Sequence, residues 1–222
     1  MKKSLLYLLP LLISALPLAA QEWSVSAGSG AFVFGDFMER TLAIAPPENP
    51  GSDRQTLTLT AATRAGLLVD LERNLGDRWA LRLEGTFTRA PLSLGDSDDG
   101  FELDAGRMNV TTVALPIVYR INRGGAFRFF LKGGPAHAMY RLERDGSTSR
   151  PIFDETRSRW GLVGGAGVEW HLSDRFALEG QISDTVTSSP FEREDFVGAD
   201  DPRLDIPRPH NVHTSVGVRW RF

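Results

Sequence analysis

His213 and Ser215 stand two residues apart in the stretch Val212 to Phe222, VHTSVGVRWRF. An imidazole beside a hydroxyl is the pairing a nucleophilic serine needs, provided a third group orients the base. Nothing in the stretch supplies that third group. His210 precedes His213 by three residues, so on a strand the two rings face opposite sides and make a poor metal pair. His137 and His171 stand alone. Asp96-Ser97-Asp98-Asp99-Gly100-Phe101-Glu102 gathers carboxylates of the kind calcium takes, but Gly100 occupies a ligand position of the EF-hand spacing. It reads as a solvated acidic loop that could meet anionic surfaces through divalent ions. Gly161-Leu162-Val163-Gly164-Gly165-Ala166-Gly167 invites a phosphate-loop reading, which requires a strand before it and a helix after it. Here the glycines lie inside an alternating strand and permit close packing and curvature. No catalytic residue, metal site or cofactor is assigned.

The larger chemical constellation is a set of charges that share the polar face of alternating stretches. It comprises Arg64, Asp70, Glu72, Arg82, Glu84, Arg128, Lys132, Glu169, Glu179, Arg219 and Arg221. Both signs are mixed. Such a set either lines a polar pore or pairs off into a plug. Eight strands enclose an interior that side chains just fill, which favours the plug. The core of the expected network is Arg64, Arg82, Glu84, Lys132, Glu169, Glu179 and Arg219.

Strands must position these charges. Val212, Thr214, Val216, Val218, Trp220 and Phe222 fall on one face of the last stretch, and His213, Ser215, Gly217, Arg219 and Arg221 on the other. The same alternation predicts strands over 22–34, 56–72, 79–88, 108–120, 127–142, 160–172 and 176–185. In the second of these, Leu57, Leu59, Ala61, Ala65, Leu67, Val69 and Leu71 are expected on one face. Short turns at 73–78, 121–126 and 173–175 alternate with long loops at 35–54, 89–107, 143–159 and 186–209. Pro116 and Pro135 cannot donate to a sheet ladder, so each is expected at a bulge or a strand end. Trp23, Trp79, Tyr119, Phe127, Trp170, Phe176, Trp220 and Phe222 all fall beside a short turn or a terminus, in the outward phase. That is an aromatic girdle at one membrane interface. Phe87 and Trp160 mark the opposite rim.

The amino-terminus agrees. Lys2 and Lys3 precede an apolar run from Ser4 to Leu18, then Leu18-Ala19-Ala20, which is the pattern of a signal peptide over 1–20. The remainder, 21–222, fits one domain. The formal charge is −3, and −5 once those two lysines are removed. With no basic stripe, nucleic acid is excluded as a partner. The chain has no cysteine, so an exported form relies on packing and a closed hydrogen-bond network.

The terminal strand, with Val218, Trp220 and Phe222 on one face, resembles the carboxy-terminal assembly signal of bacterial outer-membrane β-barrels. With the glycine-rich strand 161–169 and the short turns, the chain resembles the small OmpA-type barrels over its mature length. The resemblance implies an all-β fold, a closed antiparallel transmembrane barrel of about eight strands in a Gram-negative outer membrane, with both termini periplasmic. It implies outer-membrane lipid, lipopolysaccharide and the barrel-assembly machinery as partners. A non-enzymatic structural or surface-interaction barrel with a charge-plugged lumen is the expected function. A narrow pore or carrier of small solutes is the alternative. A lipid A-modifying enzyme is the third: some lipid A deacylases use a His-x-Ser pair, but the sequence around His213 is otherwise unlike theirs. A soluble lipocalin-like barrel would place its apolar face inside, the reverse of the girdle.

Overall fold

A computed structural model describes residues 23–43, 54–96, 102–122, 124–143, 156–196 and 204–222. The signal-peptide stretch and residues 97–101 of the acidic run lie outside the described residues. Among the described residues, alternating sequences pair into twelve antiparallel strands of one sheet. They are β1 (Trp23–Phe34), β2 (Met38–Ala43), β3 (Arg54–Ala61), β4 (Arg64–Asn74), β5 (Trp79–Asp96) and β6 (Glu102–Ala114). After them come β7 (Ile117–Arg120), β8 (Phe127–Glu143), β9 (Thr156–His171), β10 (Phe176–Thr187), β11 (Leu204–Asp205) and β12 (His210–Arg221). With β3/β4 and β6/β7 each counted as one interrupted strand, eight form the wall. β1 closes on β12 from Ser24↔Arg221 to Phe34↔Asn211, and the Phe222 N–H donates to the Trp23 carbonyl at 3.0 Å. Closure leaves no unpaired edge around the wall, the condition for a sheet to sit in hydrocarbon.

Alternation sorts the side chains. Leu67, Val69, Leu83, Leu131, Ile182, Val216 and Val218 project from the outer wall. Around a water-soluble barrel this would be an apolar patch far larger than monomers expose. Arg82 and Arg219 on the inner face are wholly buried.

The structure corrects several sequence expectations. The stretch 56–72 is two strands. Ala61 pairs with Leu92 and Gly66 with Thr88, so five steps on one strand face four on its neighbour. The extra residue is a bulge at Ala62–Thr63. It flips the phase, and Leu59 and Ala61 point inward rather than outward. The stretch 108–120 breaks at Leu115–Pro116, as a proline demands. Pro135 marks no end: β8 pairs with β9 straight through it, Gly134↔Val163, Pro135↔Leu162, Ala136↔Gly161. The β6/β7 break lies opposite Gly134–Pro135, so both prolines fall at one point of the wall. There Leu115 N–H donates to the Pro135 carbonyl and Arg82 N–H to the Pro116 carbonyl, each at 3.0 Å.

The expected long loops are shorter than composition suggested. β2 lies within 35–54, and β5 runs on to Asp96 while β6 starts at Glu102. β9 starts at Thr156, and 186–209 holds a 3₁₀ turn, Arg193–Asp195, and β11. At this long-connection end β2 and β11 carry the sheet on from β3, outside the eight wall strands.

Candidate functional site

The inner face of β5 reads the lumen from bottom to top. From the short-turn end it runs Ala80, Arg82, Glu84, Thr86, Thr88, Ala90, Leu92. A charged storey, a threonine belt and an apolar storey follow one another along the barrel axis.

The charged storey draws one or two residues from nearly every strand. β4 supplies Asp70 and Glu72, β5 Arg82 and Glu84, β7 Arg120, β8 Lys132, β9 Glu169, β10 Glu179 and β12 Arg219. Arg82 sits at its centre. Its Nε donates to Glu72 Oε2 at 2.8 Å and its Nη1 to Glu179 Oε1 at 2.8 Å. Its guanidinium carbon lies 4.9 Å from the centroid of the Phe130 ring. Phe130 fits there because residue 167 is glycine: a Cβ at 167 would stand 2.4 Å from the ring. Arg219 donates to Glu179 Oε2 at 2.7 Å, to Asp70 Oδ1 at 2.8 Å and to Ser24 Oγ at 2.8 Å. Ser26 donates to the other Asp70 oxygen. Arg120 pairs with Glu72 and reaches Asn74 Oδ1 at 2.8 Å. Lys132 pairs with Glu84 and donates to Gln181 Oε1 at 2.7 Å. Arg221 reaches Glu169 at 3.0 Å from the short-turn side. Five cations, Arg82, Arg120, Lys132, Arg219 and Arg221, thus face five carboxylates, Asp70, Glu72, Glu84, Glu169 and Glu179. The balance of charge and the number of hydrogen bonds are what make such deep burial tolerable.

Above lies a belt of Thr86, Thr88, Thr112 and Thr185, with Asn211 and His213. It surrounds a void of about 10 Å³, the size of roughly one water. His213 stacks on Phe32 with ring centroids 5.1 Å apart, and its Nε2 stands 3.9 Å from Glu84 Oε1. His213 and Ser215 are both buried in the lumen, away from the outer wall.

The apolar storey is built from Phe32, Phe34, Phe37, Leu59, Leu92, Met108, Val110, Tyr140, Phe191 and Leu204. Phe37 comes from the link between β1 and β2, and Phe191 from the segment after β10. Their rings meet edge to face, 5.6 Å apart. Tyr140 OH shares a hydrogen bond with Thr187 Oγ1 at 2.8 Å and accepts one from Asn211 at 3.0 Å. The segment carrying Phe191 is tied down by Arg157, whose Nη1 and Nη2 grip the Asp195 carboxylate at 2.5 and 2.7 Å. Arg159 donates to the Ser189 carbonyl at 2.8 Å.

Of the network expected from sequence, the structure brings together Arg82, Glu84, Lys132, Glu169, Glu179 and Arg219. Arg64 is not among them. It follows the bulge at Ala62–Thr63, is exposed, and lines a depression with Arg89, Pro91, Asp104 and Arg107. Sequence reasoning passed over Arg120, although its position beside outward Tyr119 fixed its phase. It also missed the whole apolar storey, where inward side chains are as apolar as outward ones.

The girdle residues lie together at the short-turn end. Trp79 sits opposite Tyr119 with ring centroids 4.7 Å apart, and Phe127 stacks on Trp170 at 5.8 Å. Phe176 pairs across from Trp220, which packs against Phe222 at 5.4 Å. The Arg73 guanidinium carbon lies 5.3 Å from the Trp23 ring centroid. Val218 completes the outward face of β12. Among the described residues no group of three or more His, Asp or Glu is placed to hold a metal ion.

Two solved structures share this architecture. The outer membrane protein OprG from Pseudomonas aeruginosa superposes with a TM-score of 0.63 at 13% identity, covering 91% of this chain and 96% of that one. Neisserial surface protein A gives 0.51 at 11% identity, covering 91% and 96%. At such identities the likeness shows the fold alone. No curated protein matches the chain in sequence. The family profile described as outer membrane protein beta-barrel domain matches residues 5–222. Matched over nearly its whole length, and folded as a closed eight-stranded barrel with an apolar outer wall, the chain belongs to the outer membrane protein beta-barrel domain family of bacterial outer-membrane proteins.

Proposed function

We propose that the protein is a sealed, non-enzymatic barrel of the outer membrane that acts through its outer wall and its long connections. In this reading the long connections face the cell exterior and both termini face the periplasm. The observation that carries it is the double closure of the lumen. A solute entering from the short-turn end meets paired, fully buried Arg82 and Arg219. One entering from the other end meets the Phe37–Phe191 stopper. Burial of His213 and Ser215 speaks against a lipid-modifying role, because a lipid substrate would approach from the wall. Val218, Trp220 and Phe222 are the residues proposed to be read by the assembly machinery. Outer-membrane lipid and lipopolysaccharide are the proposed surroundings of the wall.

Solute flux across liposomes carrying the refolded protein tests the sealed lumen. Flux no higher than that of empty liposomes is expected, and robust flux would replace this reading with a pore or carrier. Lipid A from cells expressing His213→Ala should match that from wild-type cells. Labelling of intact cells through single cysteines placed in the 144–155 and 173–175 connections checks the orientation. Only the first should react.

A further inference from the structure

On the outer wall, just past the rim marked by Phe87 and Trp160, the apolar surface gives way to arginines. Arg89 on β5 lies opposite Asn109 on β6, which lies opposite Arg141 on β8. One step further out, Pro91 faces Arg107, which faces Glu143. Arg89, Arg107 and Arg141 all occupy the outward phase of their strands and are exposed. Neighbouring strands are about 4.8 Å apart, so Arg89 and Arg141 are separated by about 10 Å across β6. Two residues of strand put Arg89 about 7 Å beyond Phe87. With Phe87 and Trp160 taken as the membrane rim, as in the barrel proposed above, Arg89 stands at the level of the headgroups.

Arg64, Arg89, Pro91, Asp104 and Arg107 enclose a depression of about 420 Å³ at this height. Its form follows from two irregularities. The bulge at Ala62–Thr63 delivers Arg64 to it. A register shift at Leu92/Ser93, with Gly106 at φ +108°, lets β6 turn away. The head of Arg89 is positioned. Glu143 accepts Arg89 Nη2 at 2.5 Å and Asn109 Nδ2 at 2.7 Å, holding both beside the depression. Asp104 spends one oxygen on the Gly106 N–H, at 2.8 Å. Among the described side chains, the depression is lined by three arginines, Arg64, Arg89 and Arg107, and one carboxylate, Asp104, with Arg141 and Glu143 beside it.

We propose that this depression seats a phosphomonoester group, carried by a lipid of the surrounding leaflet. The guanidinium fork matches phosphate oxygens two at a time, and Arg89 spends one of its five N–H donors on Glu143. The apolar wall directly below, through Phe87, Leu67 and Val113, accepts the acyl chains of a lipid so anchored. The orientation proposed above would make it an outer-leaflet lipid. A seat for a soluble phosphate would have the same arginines but no use for that wall.

The test uses the full barrel in nanodiscs of zwitterionic phospholipid, titrated with bisphosphorylated lipid A, dephosphorylated lipid A and inorganic pyrophosphate. Saturable binding of the first is expected, weakening as salt rises. It should fall about tenfold or more in a variant carrying Arg89→Gln, Arg107→Gln and Arg141→Gln, the loss of several charge-assisted hydrogen bonds. Arg175→Gln, at a short turn on the opposite end, should leave it unchanged. Heat-dependent gel mobility verifies that each variant is folded. Unaltered binding in the folded triple variant would overturn the seat. Pyrophosphate bound as tightly as lipid A would overturn its assignment to a lipid. Neither result bears on solute flux or cell-surface labelling, so the seat and the sealed, oriented barrel fail separately.

Discussion

Arg82 and Glu179, 97 residues apart in the chain, meet fork to fork at the centre of the lumen, with Nη1–Oε1 at 2.8 Å and Nη2–Oε2 at 3.3 Å. Neither side chain has access to solvent that could replace its partner. Arg82→Met is therefore expected to strand Glu179 and Glu72 and to destabilise the barrel by about 3–5 kcal/mol, the usual effect of breaking a buried pair from one side. Urea unfolding in lipid vesicles measures it. A loss below about 1 kcal/mol would show that the network does not hold the wall together.

In the sealed barrel proposed above, the charged and apolar storeys block the lumen separately, which separates their mutants. Arg82→Ser with Arg219→Ser should weaken the fold yet leave liposome flux near background, because the Phe37–Phe191 stopper still stands. Adding Phe37→Ala and Phe191→Ala should raise flux well above either pair alone. Flux opened fully by the charge changes would mean that the apolar storey is no barrier.

Two neighbours, the Phe130 ring and the Gly180 carbonyl, require glycine at position 167 of β9. Gly167→Ala would drive a methyl into Phe130 and toward the Gly180 carbonyl, 2.7 Å away. Overpacking of this kind costs roughly 1–3 kcal/mol. Phe130→Leu should recover part of the loss, so the double variant should be more stable than additivity allows. Strict additivity would argue against the contact.

Arg157 holds the segment that carries Phe191. Arg157→Ala removes both bonds to Asp195 and should expose residues 188–196 to protease added to folded protein, while the wall strands stay resistant. Cleavage products resolved by mass spectrometry locate the cut. Unchanged resistance would mean that the packing of Phe191 alone suffices.

Phe222 and Trp220 pack against each other at the foot of β12. If this face is the assembly signal, Phe222→Ala should lower the heat-modifiable fraction in cells while the purified variant still refolds in detergent. Equal losses in both settings would assign the residue to stability instead.

Much of the wall was legible because its two solvents differ so strongly. Leu67, Val69 and Leu71 alternate with Gly66, Leu68, Asp70 and Glu72, and the alternation carries the strand, its phase and the inward charges together. Where both sides of a strand are apolar the signal vanishes. Leu92, Met108 and Val110 point inward but read like a lipid face, and Phe37 and Phe191 lie in stretches with turn composition. Arg64 was misplaced for a different reason. Arg64 keeps the phase of Asp70 but opens β4 directly after the bulge at Ala62–Thr63, beyond the enclosed lumen, and neither residue type announces a bulge. The proline pair was half legible. Pro116 interrupts its strand as its missing donor requires, whereas Pro135 stays in register because its neighbours on β9 keep their pairing.

The charge network also has a bearing on how strands find their register. A slip of one residue would turn all of a strand's inner charges to the outside and orphan their partners on several other strands at once. Short turns tolerate small errors of length, but a net of ten mutually dependent charges does not. Misaligned closure would be penalised from every side of the lumen simultaneously. The buried ions thus weight the closed barrel toward one register, where an apolar core of interchangeable leucines would discriminate less.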